Sequence, residues 1–245
     1  MRSTGSVLSV NGVTKRFGGL VAVDNISFDV TEHEVMGIIG PNGSGKTTMM
    51  NMISGVFRPS HGMISVKGAR ISDLPAQELA RRGVGRTFQL VRLLPSLSVL
   101  ENVIAGAAFG HRKRWGREAE DQAHRMLERV GLEAMAFAPI SSLTYIDQKR
   151  LELARVLAGE PEILLLDEWL AGLNPTELET GIELIRDLRK EGRTIILVEH
   201  VMDAIRSLCD RCVVMSSGAK IAEGIPQDVL SDREVIRAYL GDDDA

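Results

Sequence analysis

The sequence predicts an α/β fold in which helices pack against a largely parallel sheet. Apolar runs with the length of buried strands recur along the chain, at 35–39, 163–166 and 194–198. Helical patterns lie between these runs, and this alternation is typical of α/β proteins. Short strand-like runs precede the first buried strand, and residues 90–160 show only helical patterns. We therefore expect an α/β core with an N-terminal antiparallel β subdomain and an inserted α-helical subdomain.

The residues before the first buried strand alternate short apolar runs with turn residues, which is the pattern of an antiparallel sheet. The strand-like runs are 7–10, 22–23 and 26–30, and a further run at 62–66 follows the first helix. Turn residues separate them at 11–12, 18–19 and 24–25. Phe17 is flanked by charge and glycine, so it is either a platform for an adenine ring or an ordinary core residue.

A glycine-rich segment joins the first buried strand to the first helix and matches the pattern G-x-x-x-x-G-K-T. Glycines let the backbone N–H groups surround phosphates, and the helix that follows adds the positive end of its dipole. Lys46 is expected to contact the β- and γ-phosphates, and the Thr47 hydroxyl to bind Mg²⁺. The alternative is a glycine-rich turn without a ligand, but the strand–loop–helix context favours a P-loop NTPase (RecA-like) core. The residues predicted to bind nucleotide here are Gly40, Pro41, Asn42, Gly43, Ser44, Gly45, Lys46, Thr47 and Thr48.

Residues 90–160 are predicted to form the helical subdomain, inserted into a single domain that spans 1–245. Ser98 and Glu101 match the S-x-x-E pattern of a helix capping box. Apolar residues at helical spacing continue from 117 to 130, and Gly131 is a stop signal. The basic run at 111–117 is interpreted as a solvated loop, with contact to lipid headgroups or to a partner as the alternative.

Polar side chains follow three predicted strands at their carboxyl ends, which is where α/β sheets bind ligands. Gln89 ends a predicted strand at 84–89, and we expect it near Mg²⁺ or the attacking water. Asp167 is predicted to hold Mg²⁺ through water, and Glu168 to act as the general base that polarises the attacking water. His200 follows the third buried run, and this position predicts a contact with the γ-phosphate.

The C-terminal part of the sequence continues the alternation of helices and strands. Helices are predicted at 176–190, 202–208 and 229–240, and a strand pair at 213–215 and 220–224. Cys209 and Cys212 form a C-x-x-C pair, for which redox chemistry or half of a zinc site is the alternative. We interpret both as structural residues, because one pair supplies too few metal ligands. The acidic run at 242–244 is interpreted as a solvated end.

Composition excludes several classes of protein. The net charge of −4 and an aromatic content of 4% argue against a nucleic-acid partner. No stretch approaches the roughly 18 uninterrupted apolar residues that a membrane span needs. The first residues lack the apolar core of a signal peptide. These observations predict an intracellular protein.

The order and spacing of the motifs resemble the ATP-binding subunits of ABC transporters over essentially the whole chain. The matching features are the phosphate-binding loop, Gln89, the signature-like segment 143–148, Asp167 with Glu168, the turn at 171–174 and His200. Four further segments resemble the group that imports branched-chain amino acids: 86–103, 150–155, 171–177 and 238–241.

This resemblance implies an ATPase that binds ATP and Mg²⁺ and acts as a head-to-tail dimer. Each ATP would lie between the phosphate-binding loop of one subunit and the signature of the other, so Thr144 and Ile146 would contact the partner's ATP. Phe17 matches the aromatic residue that stacks on adenine. The implied partners are two membrane permeases, a second and usually non-identical ATP-binding subunit, and an extracytoplasmic binding protein. The implied location is peripheral, on the cytoplasmic face of the membrane.

Two residues depart from the family pattern. The signature normally has glycine where this chain has Ile146, and a β-branched side chain there is expected to crowd the opposite phosphate or displace the helix. The base is normally followed by proline, whereas Trp169 follows Glu168 and is expected to add bulk near the dimer interface. Both departures suggest that the two ATP sites of the dimer differ in activity, and that ATP on the partner, facing Ile146, is hydrolysed poorly.

Other functions remain open at the level of sequence. A poorly hydrolysing regulatory subunit is the main alternative, and an importer of urea, amides or aromatic acids is another. A soluble ABC protein of DNA repair or translation is disfavoured, since 245 residues hold neither a long coiled coil nor two fused ATPase units.

Overall fold

The computed structural model describes residues 5–240, which divide into two compact units. One unit combines the chain up to Ala76 with the chain from Leu170 onward, and the other is Gln77–Trp169. Predictions that concern 1–4, Gly241 and the acidic run 242–244 lie outside the described residues. The separate helical subdomain at 90–160 stays a prediction, because the second unit also includes strands on either side of it.

The first unit contains two sheets. An antiparallel sheet has the order β2-β1-β4-β5, and a second group has the order β10-β9-β3-β8, in which β9, β3 and β8 are parallel and β10 is antiparallel to β9. The strands of the first unit are β1 Ser6–Phe17, β2 Leu20–Thr31, β3 Val35–Ile39, β4 His61–Val66, β5 Ala69–Arg70, β8 Thr194–Val198, β9 Arg211–Ser216 and β10 Ala219–Gly224. Its helices are α1 Lys46–Ile53, α6 Pro175–Lys190, α7 Met202–Leu208, α8 Pro226–Val229 and α9 Arg233–Leu240.

The second unit contains a parallel strand pair and three helices that pack against one another. The pair is β6 with β7, in the register Arg86↔Leu165. A short helix, α2, spans the boundary between the two units' sequences. The elements are α2 Ala76–Arg81, β6 Val84–Arg86, α3 Val99–Phe109, α4 Arg117–Arg129, α5 Tyr145–Ala158 and β7 Ile163–Asp167, with single 3₁₀ turns at Glu133–Met135 and Ile140–Ser142.

Local sequence signals explain two of the helix boundaries in the second unit. The capping box at α3 is present, since the Ser98 hydroxyl accepts the Glu101 N–H and the Glu101 carboxylate accepts the Ser98 N–H. The stop signal after α4 is also confirmed, because Gly131 has φ of 73°. In the basic run, Arg114 donates to the Glu160 carboxylate at 2.6 Å, so this arginine is held by an ion pair within the second unit.

Some predicted boundaries are wrong. The predicted turns at 11–12 and 24–25 are irregularities inside β1 and β2, where Gly12 and Asn25 have positive φ and the pairing register shifts. The predicted terminal helix is two helices, α8 and α9. The break lies where the Asp232 carboxylate accepts the Glu234 N–H at 2.7 Å and caps the second helix.

Candidate nucleotide site

The phosphate-binding loop runs from the end of β3 to the start of α1 in the first unit. Three of its glycines have positive φ: 146° at Gly40, 77° at Gly43 and 102° at Gly45. A Cβ on Gly40 would lie 2.0 Å from the Met215 carbonyl oxygen, and one on Gly45 would lie 2.4 Å from the Ala22 carbonyl oxygen. Only glycine therefore fits at Gly40 and Gly45, on both backbone and steric grounds.

Lys46 is the first residue of α1, and its ammonium group lies inside the loop. Its Nζ donates to the carbonyl oxygens of Gly40 at 2.7 Å and Pro41 at 2.9 Å, and the side chain is buried. Among the other residues predicted for this site, Thr47 is exposed and Ser44 is buried, while Asn42 is exposed and Thr48 half-buried. A buried cation and a glycine-lined cradle are what a polyphosphate requires.

Phe17 ends β1 and is 41% exposed. Its ring meets Phe57 edge-on, with centroids 5.3 Å apart, and Lys15 Nζ lies 5.1 Å from the ring centroid. An exposed face on this aromatic pair agrees with stacking better than with a role as an ordinary core residue. The contact with adenine stays a prediction.

His200 follows β8, as predicted, and is half-buried. The preceding residue, Glu199, is fully buried, and its carboxylate accepts the Leu170 N–H at 2.6 Å. Glu199 thus fixes the backbone at the start of the segment that follows the acidic pair. The sequence shows Glu199 directly after an apolar run but does not identify the backbone N–H group that pairs with it.

The acidic residue at the end of β7 is paired with a neighbouring strand of the second unit. Asp167 Oδ2 accepts a hydrogen bond from Arg86 Nη2 at 2.8 Å, and both side chains are buried. Arg86 ends β6, next to β7, so the two charges compensate each other at the same end of the parallel pair. Arg86 was not among the predicted site residues, although an arginine at the end of a buried strand indicates a buried partner.

Gln89 and Glu168 are brought together within the second unit. The Gln89 side-chain amide donates to Glu168 Oε2 at 2.9 Å. The strand predicted to end at Gln89 ends instead at Arg86, so Gln89 belongs to an irregular segment. We call Phe88–Arg92 the Gln89 segment. Glu168 has φ of 51°, a left-handed conformation that non-glycine residues adopt rarely.

Trp169 is buried within the chain, with 4% of its surface exposed, and its effect near the dimer interface stays a prediction. Its indole N–H donates to the Lys149 carbonyl oxygen at 3.2 Å, and Lys149 Nζ donates to the Glu168 carbonyl oxygen at 3.1 Å. These two hydrogen bonds attach the backbone around Glu168 to α5. Burial gives the tryptophan a structural role that a proline could not supply, because proline has neither an aromatic ring to fill the core nor a side-chain N–H donor.

The signature-like segment forms the start of α5. The Thr144 hydroxyl accepts the Asp147 N–H at 3.2 Å and donates to the Asp147 carboxylate at 2.7 Å, so Thr144 is the N-cap. Ile146 is half-buried in the first turn of a regular helix. Isoleucine at this position is thus compatible with a regular helix start, and displacement of the helix from the opposite phosphate stays a prediction. Crowding of a partner's phosphate stays a prediction.

Cys209 and Cys212 are both buried and free of disulfide bonds. Cys209 caps the end of α7 and Cys212 lies at the start of β9, as predicted. A hydrogen bond between the two thiols, together with burial, raises the pKa of Cys209, which makes it a poor nucleophile. Within residues 5–240, no cluster of three or more His, Cys, Asp or Glu side chains is arranged to hold a metal ion. A structural role remains our interpretation.

Comparison with known protein families decides the identity. A family model described as "ABC transporter" matches residues 23–171, which is more than half of the chain. The chain belongs to the ABC transporter family of ATP-binding proteins. A second family model, "Branched-chain amino acid ATP-binding cassette transporter", matches residues 219–245.

Individual relatives agree with this ABC transporter assignment. The chain is 43% identical over 250 residues to the "High-affinity branched-chain amino acid transport ATP-binding protein LivG" of Salmonella typhimurium, covering 96% of this chain and 98% of that protein. The crystal structure of the ADP conformation of MJ1267, an ATP-binding cassette of an ABC transporter, has a TM-score of 0.86 and 29% identity, covering 97% of this chain and 100% of that one. A dimeric post-hydrolysis state of the cassette MJ0796, bound to ADP and Pi, has a TM-score of 0.82 and 29% identity, covering 89% of this chain and 98% of that one.

Membership of the ABC family confirms the predicted α/β nucleotide-binding fold and the ATPase activity. The chain is an ATP-hydrolysing, nucleotide-binding subunit of a transporter, and such a subunit acts with membrane permeases. Among the described helices, none is long and apolar enough to cross a membrane.

Proposed function

We propose that this ABC subunit powers the import of branched-chain amino acids. The observation that carries the proposal is 43% identity to LivG along 96% of the chain, together with the match of residues 219–245 to the branched-chain cassette family. The proposed assembly contains two permeases, a second and non-identical ATP-binding subunit, and an extracytoplasmic binding protein that delivers the substrate. The chain would lie at the cytoplasmic face of the membrane as a peripheral subunit.

The phosphate-binding loop is proposed to hold ATP. Its backbone N–H groups and Lys46 would neutralise the β- and γ-phosphates, and Phe17 would stack on the adenine. Bound Mg²⁺ would neutralise developing charge on the phosphates. The residues proposed to hold it are Thr47, Gln89 and Asp167, whose hydroxyl, amide and carboxylate oxygens are the donors that Mg²⁺ prefers. The proposal is supported by the exposure of Thr47 and by the place of Asp167 at the end of β7.

Glu168 is proposed to act as the general base. It accepts the proton of the water that attacks the γ-phosphate, so that the nucleophile gains negative charge as the bond to the leaving ADP breaks. Gln89 orients the base through the 2.9 Å hydrogen bond to its carboxylate. It would contact the metal or the attacking water in the active state. His200 is proposed to stabilise charge on the γ-phosphate.

Thr144 and Ile146 are proposed to face the ATP of the partner subunit. A helix N-terminus favours negative charge there, but the isoleucine side chain occupies space that glycine would leave to the phosphate. This crowding favours a second candidate function, in which the two ATP sites differ and ATP bound to the partner subunit is hydrolysed slowly. The loop residues, Glu168 and His200 of this chain are unaffected, so ATP bound here is hydrolysed.

Transport measurements test the proposed substrate class. Cells that lack this chain should lose high-affinity uptake of radiolabelled leucine, isoleucine and valine, while uptake of urea, amides or aromatic acids should be unchanged. The intact chain restores uptake, and so should the control Glu128→Gln, an exposed glutamate on α4. Loss of urea, amide or aromatic-acid uptake with retained leucine uptake would reassign the substrate.

Turnover measurements test the proposed base. Glu168→Gln should reduce kcat by about a thousandfold, because the amide cannot accept the proton, and should trap an ATP-bound dimer on size-exclusion chromatography. Nucleotide binding should be retained, since the phosphate-binding loop is unchanged. Undiminished hydrolysis by this variant would refute the assignment.

A further inference from the structure

One face of α5 carries polar residues at helical spacing. Tyr145, Lys149 and Glu152 occupy positions i, i+4 and i+7, so their side chains project from the same side of the helix. Lys149 is 4% exposed and Glu152 is 1% exposed. Lysine and glutamate are rarely buried unless they are paired, so this face of α5 must have polar partners.

The buried carboxylate of Glu152 holds the Gln89 segment at both of its ends. Its Oε2 accepts the Phe88 N–H at 3.1 Å, and its Oε1 accepts the Arg92 N–H at 2.9 Å. Arg155, one turn further along α5, donates to the Arg92 carbonyl oxygen and lies 3.8 Å from the Glu152 carboxylate. A buried anion that accepts two backbone N–H groups is an anchor, because release of the segment would leave it without those bonds.

Two other residues of the same face of α5 contact the backbone of Gln89 and of Glu168. The Tyr145 hydroxyl donates to the Gln89 carbonyl oxygen at 3.4 Å, and Lys149 donates to the Glu168 carbonyl oxygen. Two guanidinium groups lie close to the Phe88 ring, with the Arg86 and Arg92 Cζ atoms 4.8 Å and 4.1 Å from the ring centroid. Helix α5 thus contacts the backbone of both Gln89 and Glu168.

We propose that Glu152 is a positioning residue for ATP hydrolysis: it fixes the Gln89 segment so that the Gln89 amide reaches the Glu168 carboxylate. The inference rests on the roles proposed above for Gln89 and Glu168. It adds that the helix whose first turn carries Thr144 and Ile146 also positions this chain's own base. A displacement of α5 by a neighbouring subunit would therefore change the geometry of Glu168 as well.

The first experiment compares Glu152→Gln with Glu128→Gln in the complete chain, assembled with its membrane subunits. A glutamine amide has one acceptor oxygen, so one of the two backbone N–H groups loses its partner. We expect kcat for ATP hydrolysis to fall by about tenfold, with KM for ATP unchanged because the phosphate-binding loop is untouched. Glu128→Gln, which removes an exposed charge from the same unit, should leave both constants unchanged. Unchanged kcat in Glu152→Gln would overturn the proposal.

A double-mutant comparison separates positioning from general destabilisation. If Glu152 acts through Gln89, then Glu152→Gln should lower kcat by less than about twofold further in a Gln89→Ala background. Multiplicative losses in the double variant would show independent effects and overturn the proposal. If Glu152→Gln does not fold, Arg155→Lys replaces it, with an expected fall in kcat of about threefold that is again lost in the Gln89→Ala background.

The single variants distinguish the proposed roles of Gln89 and Glu168 from the proposed positioning role of Glu152. If Gln89→Ala and Glu168→Gln leave kcat unchanged, the proposed roles of Gln89 and Glu168 fail, and the role of Glu152 fails with them. If both variants lower kcat while Glu152→Gln does not, the proposed function stands and only the positioning role is refuted.

Discussion

The phosphate-binding loop and the region around α5 acquire their conformations in different ways. In the loop, hydrogen bonds between residues close in sequence shape the backbone, as in the return of Lys46 to the carbonyl oxygens of Gly40 and Pro41, and distant backbone restricts two positions to glycine. Around α5, the decisive contacts join residues far apart in sequence, such as Glu152 with Phe88 and Trp169 with Lys149. Such a phosphate-binding loop can be recognised from a short motif, whereas the contacts that support the proposed base, Glu168, cannot.

The largest effect is expected where the loop contacts distant backbone. Gly45→Ala should lower the free energy of unfolding by more than about 3 kcal/mol, because its Cβ would lie 2.4 Å from the Ala22 carbonyl oxygen at a φ of 102°. Gly43→Ala has positive φ but open space, so it should cost only about 1–2 kcal/mol. Chemical denaturation of both variants measures the difference. Equal losses would show that backbone strain alone, and no steric contact, sets the requirement for glycine.

An intermediate effect is expected at Trp169, in the region around α5. Trp169→Phe keeps an aromatic ring in the core but removes the donor to the Lys149 carbonyl oxygen, so stability should fall by about 1–2 kcal/mol. ATP affinity should not change, and kcat should fall by a few fold, since the backbone at Glu168 is less well held. Thermal melting and steady-state kinetics check these outcomes. If stability and kcat are both unaffected, Trp169 is not part of the support for the base.

The smallest effect is expected at Ile146, where α5 begins. Ile146→Gly should raise transport-coupled ATPase activity by about two- to fivefold, because space for the partner's phosphate is restored. The gain is limited by the lower helix propensity of glycine, which costs roughly 1 kcal/mol. Ile146→Ala is the matched control, with an intermediate rise expected. No change in activity for either variant would remove the basis for asymmetry between the two ATP sites.

Several features of the fold were accessible from the sequence because their causes are local. The capping box at Ser98 and the stop at Gly131 involve residues within one helical turn. The buried strands were predicted from short continuous apolar runs, which are typical of strands covered on both faces. Inside β1 and β2, bulges lie where turn residues predicted a break in the chain, and between α8 and α9 a cap begins a new helix where a continuous helix was predicted. The strand β6 is also shorter than predicted, since it ends at Arg86 and not at Gln89.

The sequence by itself determined the nucleotide loop, the acidic pair Asp167 and Glu168, and the transporter family, since each depends on residue types at fixed spacing. Only the tertiary structure decided that Arg86 balances Asp167, that Trp169 is buried, and that Glu152 holds the Gln89 segment. The physical reason is that a buried charge is stable only with a specific partner, and the partner is chosen by packing of distant segments. In the sequence, Glu152 interrupts the apolar pattern of α5 between two leucines. The sequence does not show which backbone N–H groups its carboxylate accepts.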